Sequence, residues 1–180
     1  MLSAITLPLI IILSLVQVSW VNNWAWGGVV PNVLLAVLVV ITIKSGRRTG
    51  LVWAFVGGLL VSVMAVYPFS GYLLALLVSI AVVGFLCESV FGTTTPLTLV
   101  WQAVIATVVF CLIKAGVAEL TVVMWGTPVK VIWQIVIINM LWSVVYSIAL
   151  VWLFYVSFNW IGDWYIRIRR RPGLRRKGLL

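Results

Sequence analysis

The stretch PNVLLAVLVVITIKSGRRTGLVWAFVGGLL, residues 31–60, joins two apolar runs through a short basic segment. That segment carries Lys44, Arg47 and Arg48, and no acidic residue lies anywhere in the stretch. Cations at the ends of apolar runs, and absent from their interiors, are typical of membrane proteins, whose cytoplasmic loops are rich in lysine and arginine. The stretch therefore predicts two membrane helices joined by a hinge on the cytoplasmic side.

The composition of the whole chain indicates the same class of protein. Of its 180 residues, 64% are hydrophobic and 8% are charged, and the mean hydropathy is +1.26. A soluble domain carries about 25% charged residues. The net charge of +9 would also suit nucleic-acid binding, but seven of the twelve cations cluster within residues 167–177. A basic cluster beside an apolar segment indicates cytoplasmic orientation and contact with anionic lipids, so we expect no nucleic-acid partner.

Six apolar segments are expected to cross the membrane, which predicts an all-α integral membrane protein built as a compact bundle of six transmembrane helices. The first segment is interpreted as a retained helix, because the residues before Trp20 lack the charged start and the cleavage site of a signal peptide. The second is shorter than the roughly 20 residues that a span needs, and the sixth is longer. The predicted segments are residues 2–21, 29–43, 49–67, 71–87, 97–115 and 129–160.

The distribution of cations predicts the orientation of these segments. With the C-terminal cluster in the cytoplasm, six spans place the N-terminus and the hinge on the same side, whereas the isolated Lys114 and Lys130 oppose this weakly. The chain then divides into a six-helix transmembrane domain, residues 1–166, and a basic cytoplasmic tail, residues 167–180. Residues expected to contact lipid headgroups or the cytoplasm are Lys44, Arg47, Arg48, Arg167, Arg169, Arg170, Arg171, Arg175, Arg176 and Lys177.

Small side chains recur at four-residue spacing in the later segments, which places each set on one helix face. Such faces let helix backbones approach closely in a membrane, either inside the bundle or against a partner helix. The four stripes are Ala54, Gly58 and Ser62; Gly71, Ala75 and Ser79; Ala103, Thr107, Cys111 and Ala115; and Asn139, Ser143 and Ser147. The candidate partner-binding residues are Asn139, Ser143, Ser147, Gly58, Ser62, Gly71 and Ala75.

Groups that perform catalysis or hold cofactors are scarce in the chain. It has no histidine, and its three acidic residues, Glu88, Glu119 and Asp163, lie near the ends of predicted segments. No acid–base pair, metal-ligand cluster or phosphate-binding loop can be drawn, so we expect neither an enzyme nor a cofactor. A lipid-modifying enzyme using Glu88 beside the basic hinge is the weakest alternative. The deeper polar residues, expected to form hydrogen bonds between helices, are Gln17, Gln102, Gln134 and Asn139.

One set of short motifs points to a known family. Pro31 and Asn32 open the second segment, Gly58 to Leu60 form a G-L-L core in the third, and Pro68 and Gly71 turn into the fourth. Over residues 28–90 this arrangement resembles the rod-shape-determining MreD family, as do the chain length, the helix number and the basic tail. Family members usually carry an acidic residue after the proline and another after the G-L-L core; this chain has Asn32 in the first place and Ser62 or a neighbour in the second.

The resemblance implies a non-enzymatic scaffold subunit of the elongasome, the bacterial cell-elongation complex for peptidoglycan synthesis that sets rod shape. Its location would be the cytoplasmic (inner) membrane, and its partners an MreC-like bitopic protein, an MreB-like filament and a synthase of the RodA and penicillin-binding-protein type. The family fold resembles the substrate-binding subunits of energy-coupling-factor vitamin transporters. The alternative is therefore a small-molecule transporter subunit, whose outer pocket would be lined by Asn23, Trp24, Trp26, Trp125 and Asn139.

Overall fold

A computed structural model describes residues 2–19, 30–64, 71–89, 95–125 and 133–170 of the chain. Within these ranges every regular element is an α-helix, so the expected all-α class and the six helical segments are confirmed. The helices are α1 (Leu2–Ser19), α2 (Val33–Ser45), α3 (Arg47–Met64), α4 (Tyr72–Ser89), α5 (Pro96–Trp125) and α6 (Trp133–Arg170).

Four of the described helices are long and apolar enough to cross a membrane, which supports the membrane-protein class. The qualifying stretches are Arg47–Met64, Tyr72–Ser89, Leu97–Leu120 and Val136–Trp160.

The observed helix ends differ from the predicted ones at α5 and α6. Helix α5 ends at Trp125 rather than at residue 115, because no proline interrupts the chain until Pro128. Helix α6 continues through the predicted domain boundary at residue 166 and ends at Arg170, shortly before Pro172 and Gly173. Part of the predicted basic tail is therefore helical.

The two ends of α2 are set by residues that flank it. Asn32 caps the N-terminus, because its side-chain oxygen accepts a hydrogen bond from the backbone nitrogen of Leu35 at 3.0 Å. At the other end Gly46 adopts φ = +86° and donates its backbone N–H to the carbonyl oxygen of Thr42 at 2.9 Å. A positive φ favours glycine, and it allows α3 to begin at the next residue, Arg47.

Helix α2 lies at the centre of the bundle. Nine consecutive side chains, residues 34–42, are buried, and the helix contacts all five of the other described helices. A helix that is apolar on every face must be covered on every face. At 13 residues α2 is about 20 Å long, shorter than the roughly 30 Å hydrocarbon core, and its neighbours enclose it.

Small residues let α3 and α4 pack closely. A Cβ atom added to Gly58 would lie 3.2 Å from the Cα atom of Leu73, so the two backbones are nearly in contact. Ala54 on α3 and Ala75 on α4 are fully buried. The predicted stripes on these two helices therefore contribute to packing within the chain, as is common for small-residue faces in membranes. Their role in binding a partner stays a prediction.

Two further members of these stripes occupy different surroundings. Gly71 has φ = +62°, and a Cβ added there would lie 2.6 Å from a methyl carbon of Val117 on α5. Gly71 thus serves both as a turn residue and as a close contact to α5. Ser62 is half-buried near the end of α3.

The basic hinge lies beside the ends of α4 and α6. The Lys44 ammonium donates a hydrogen bond to the side-chain oxygen of Asn159 at 2.6 Å and lies 5.2 Å from the ring centre of Tyr155. Arg47 and Glu88 form an ion pair at 3.8 Å, and both side chains are largely exposed, so the pair adds little stability. These contacts bring the hinge to the same end of the bundle as the C-terminal half of α6.

The other predicted headgroup-contact residues lie next to the hinge, at the end of α6, or outside the described part of the chain. Arg48 is exposed at the start of α3. Arg167, Arg169 and Arg170 lie in the last turns of α6. Residues outside the described part are Arg171, Arg175, Arg176 and Lys177.

Candidate functional site: a cleft between α2, α5 and α6

A partly open cleft of about 360 Å³ lies between the N-terminal end of α2 and the helices α5 and α6. Small-molecule sites in proteins range from about 300 to 1,000 Å³. The cleft lies towards the end of α2 that carries Asn32, whereas Lys44 and the basic hinge lie at the opposite end. The volume and position therefore make it the candidate functional site in the described part of the chain.

Two of the predicted stripes line this cleft from different helices. On α5 the lining residues include Thr107, Cys111 and Ala115, and on α6 they include Asn139, Ser143 and Ser147. Ala103, the remaining member of the α5 stripe, is buried and does not line the cleft. The sequence predicted each stripe separately, and the structure brings the two together.

The hydroxyl groups of two stripe residues are bonded to their own helices. Ser143 Oγ donates to the carbonyl oxygen of Asn139 at 2.8 Å, and Thr107 Oγ1 donates to that of Ala103 at 2.8 Å. These bonds to the preceding turn use the hydroxyl protons and leave the oxygen lone pairs available as acceptors. The hydroxyl protons of Thr107 and Ser143 are therefore used within the protein and do not require a ligand.

Asn32 contributes to the wall of the cleft and is held firmly in place. Its side-chain oxygen accepts hydrogen bonds from the Leu35 nitrogen at 3.0 Å and from the Tyr72 hydroxyl at 2.9 Å. Tyr72 in turn packs edge-to-face on Phe110, another lining residue, with ring centres 5.2 Å apart. With the oxygen assigned by these two donors, the amide nitrogen Nδ2 of Asn32 is buried without a hydrogen-bond partner.

Gln17 of α1 fixes the first turn of α2 beneath the cleft. Its side-chain oxygen accepts from the backbone nitrogen of Val33 at 2.9 Å, and its side-chain nitrogen donates to the carbonyl oxygen of Pro31 at 3.2 Å. The backbone donors of this helix end are thus used within the protein. The predicted role of Gln17 in joining helices is confirmed.

Gln102 also joins two helices, because its side-chain nitrogen donates to the sulfur of Cys87 on α4 at 3.1 Å. Its side-chain oxygen is buried without a hydrogen-bond partner, but Gln102 does not line the cleft. Gln134 lies in α6, but its side chain is outside the described part.

The charge in the cleft comes from Lys114, one of the two isolated lysines that weakly oppose the predicted orientation of the helices. Of the described residues that line the cleft, Lys114 alone is charged. Glu119, the acidic residue of the same helix, does not line it. Lys114 itself is exposed to solvent, and the remaining lining side chains are mostly apolar.

The pocket predicted for the transporter alternative is only partly within the described part of the chain. Asn139 lines the cleft as predicted. Asn23, Trp24 and Trp26 lie outside the described residues, and the side chain of Trp125, the last residue of α5, is also outside them. Phe110, Asn32 and Lys114 were not predicted as members of a pocket, because nothing in their spacing relates α2 to α5.

The fold and the cleft are those of a helical membrane protein with a polar, cationic cleft among its described residues. No family model matches the chain, and no curated protein or solved structure is significantly similar to it.

Proposed function

We propose that the protein is a non-enzymatic membrane scaffold subunit of the MreD type, acting in the bacterial elongasome. The observation that carries the proposal is the exposure of α6. Only 11% of its most apolar stretch is buried within the chain, against 39% for α4. A long apolar helix that its own bundle covers so little is available to other membrane proteins as well as to lipid.

The exposed side of α6 forms a continuous face. Residues 138, 141, 145, 152 and 156 fall on the side of the helix opposite to the stripe that lines the cleft. We call this the outer face of α6, and its members, all exposed, are Ile138, Leu141, Val145, Trp152 and Val156. Because the stripe of Asn139, Ser143 and Ser147 lines the cleft, the outer face is the better candidate for docking a partner helix.

In this proposal all six helices cross the bacterial cytoplasmic membrane and both termini are cytoplasmic. Central α2 is covered by the other five helices, as a short, fully apolar helix requires. The basic hinge and the end of α6 would then face anionic headgroups or a cytoplasmic filament, consistent with the positive-inside rule. The partners implied by the motifs are an MreC-like bitopic protein, an MreB-like filament and a RodA-type synthase.

The proposal is tested by co-purification of an MreC-like partner from native membranes. Leu141, Val145 and Trp152 are changed together to alanine on the outer face of α6. The matched control changes three exposed apolar residues of α4, namely Leu74, Val78 and Phe85, to alanine. We expect the α6 variant to lose the partner while the α4 variant retains it. Equal recovery of the partner by both variants, at equal expression, would contradict docking on α6.

A second candidate function, a substrate-binding subunit of a small-molecule transporter, is favoured by the cleft itself. The cleft has the volume of a small-molecule site, and Asn139 lines it as that alternative predicts. Native mass spectrometry of gently extracted protein should then detect a bound metabolite. A spectrum showing only the unliganded chain would count against this candidate and leave the scaffold proposal unaffected.

A further inference from the structure

The described lining residues of the cleft carry charge of one sign, although the hydroxyl oxygens of Thr107 and Ser143 also offer acceptors. Lys114 supplies up to three N–H donors and a positive charge, and the buried Asn32 Nδ2 supplies a donor that no described residue satisfies. No acidic side chain is among the described lining residues. A ligand that matches this set carries hydrogen-bond acceptors and a negative charge.

The rest of the cleft is apolar. Leu35 on α2, Phe110 on α5 and Val136 and Met140 on α6 supply most of the wall beside the polar stripe residues. At about 360 Å³ the cleft exceeds twice the ~150 Å³ of a cavity that holds benzene, so it accommodates more than a small inorganic anion. A wholly polar anion would leave these apolar surfaces without a matching partner.

We propose that the cleft binds the negatively charged group of an amphipathic molecule, with Lys114 facing the charge and the apolar wall holding the chain. A carboxylate or phosphate group provides the required chemistry, and it can come from an anionic membrane lipid or from a soluble amphipathic acid. Because the cleft is partly open, a chain longer than the cleft continues outside it. The proposal concerns the ligand of the cleft and holds independently of which partner docks on α6.

Lys114 has a simpler explanation that the test must separate from binding. A lysine near the end of an apolar helix can extend its ammonium group towards the membrane surface, with no specific ligand. In that case its replacement would leave every ligand of the cleft unaffected. Arg48, exposed at the opposite end of the bundle, provides a matched control for the loss of one positive charge.

Two arms of the experiment distinguish the sources of the anion, and both use the full chain. In the first, the protein is reconstituted in nanodiscs of phosphatidylcholine with a minor fraction of phosphatidylglycerol, and retained lipid is identified by native mass spectrometry. In the second, binding of decanoate in detergent is measured by calorimetry and compared with decanol, which has the same chain and no charge. Each arm is repeated with Lys114→Gln. Arg48→Gln is the control in the decanoate arm, because Arg48 is expected to contact lipid headgroups in a membrane, and Lys114→Arg, which keeps the positive charge, is the control in the nanodisc arm.

We expect the wild type and Arg48→Gln to bind decanoate alike, and the wild type and Lys114→Arg to retain phosphatidylglycerol alike. Lys114→Gln should bind either anion roughly 10- to 100-fold more weakly, as for loss of a charged hydrogen bond. Decanol should bind wild type and Lys114→Gln equally. Retained phosphatidylglycerol without decanoate binding identifies a lipid, decanoate binding alone identifies a soluble acid, and both together identify the shared anionic group. Absence of both, or equal binding by wild type and Lys114→Gln, overturns the proposal.

A further variant tests the position of the charge, with decanol binding as the check that the cleft is retained. Asn32→Asp keeps a side-chain oxygen for the Leu35 nitrogen and the Tyr72 hydroxyl, so the cap of α2 is preserved. It also places a negative charge in the cleft wall. We expect anion binding to weaken by about tenfold or more while decanol binding is retained. The unfolding transition should fall, because the second carboxylate oxygen replaces the buried, unpartnered Nδ2. Unchanged anion binding in this variant would contradict the proposed location.

Discussion

The close contact between α3 and α4 predicts how a single methyl group affects stability. In Gly58→Ala the new Cβ would lie 2.8 Å from the Cδ1 atom of Leu73 and 3.2 Å from its Cα atom. The side-chain atom can move, but the Cα atom belongs to the α4 backbone, so relief requires the two helices to separate. Overpacking of this kind costs about 1–3 kcal/mol.

The size of the effect is best measured against a glycine that has space around it. Gly116 on α5 has no atom within 4 Å of an added Cβ. Gly116→Ala should stabilise the protein by about 0.5–1 kcal/mol through helix propensity, whereas the same gain in Gly58→Ala is offset by the clash. We therefore expect the two variants to differ by about 1–3 kcal/mol in the free energy of unfolding.

Tryptophan fluorescence during unfolding in mixed micelles of increasing dodecyl sulfate content measures this difference. Adding Leu73→Ala to Gly58→Ala removes the contact at 2.8 Å and leaves the backbone contact, so recovery should be partial. If Gly58→Ala proves as stable as Gly116→Ala, the helices are not in backbone contact at this position. The reasoning on α3 and α4 would then be wrong.

Three more predictions concern the contact between α1 and α2, the cleft, and the orientation of the helices in the membrane. Gln17→Leu removes the partner of the Val33 N–H and should destabilise the protein by about 1–3 kcal/mol in the same unfolding assay; an unchanged transition would contradict that role. In the Cys87→Ser variant, maleimide labelling of Cys111, which lines the cleft, should slow in the presence of decanoate, and an unaltered rate would oppose binding there. Reporter fusions after Gly46 and at the C-terminus should give the same cytoplasmic signal, and opposite signals would exclude six spans.

The sequence predicts the helices of this protein well, because apolar length and flanking cations are local properties. Pro31 and Asn32 further indicated the start of the second segment, and α2 begins at Val33 directly after them. The end of α5 was predicted too early, since residues 116–125 are only modestly less apolar than the preceding segment and contain no proline. Boundary errors of this kind arise where hydropathy falls gradually.

Which helix lies at the centre could not be predicted from hydropathy. Helices α2 and α6 are both strongly apolar, yet α2 is enclosed and α6 is largely exposed. In a membrane the lipid is as apolar as a protein core, so burial leaves little trace in composition. The same limit applies to the cleft. The spacing of small residues predicted the stripes on α5 and α6, but whether both stripes line one cleft depends on how segments distant in sequence pack together.

The central position of α2 has a consequence for how the chain enters the membrane. In the proposed six-span topology α2 is made before α3, α4, α5 and α6, which are four of the five helices that cover it. During synthesis α2 is therefore exposed to lipids or insertion factors before most of its covering helices exist, although it is too short to span the hydrocarbon core unaided. After α1, pairing with α3 through the tight turn at Gly46 is the next support to form, so lengthening that turn should impair biogenesis more than it impairs the finished protein.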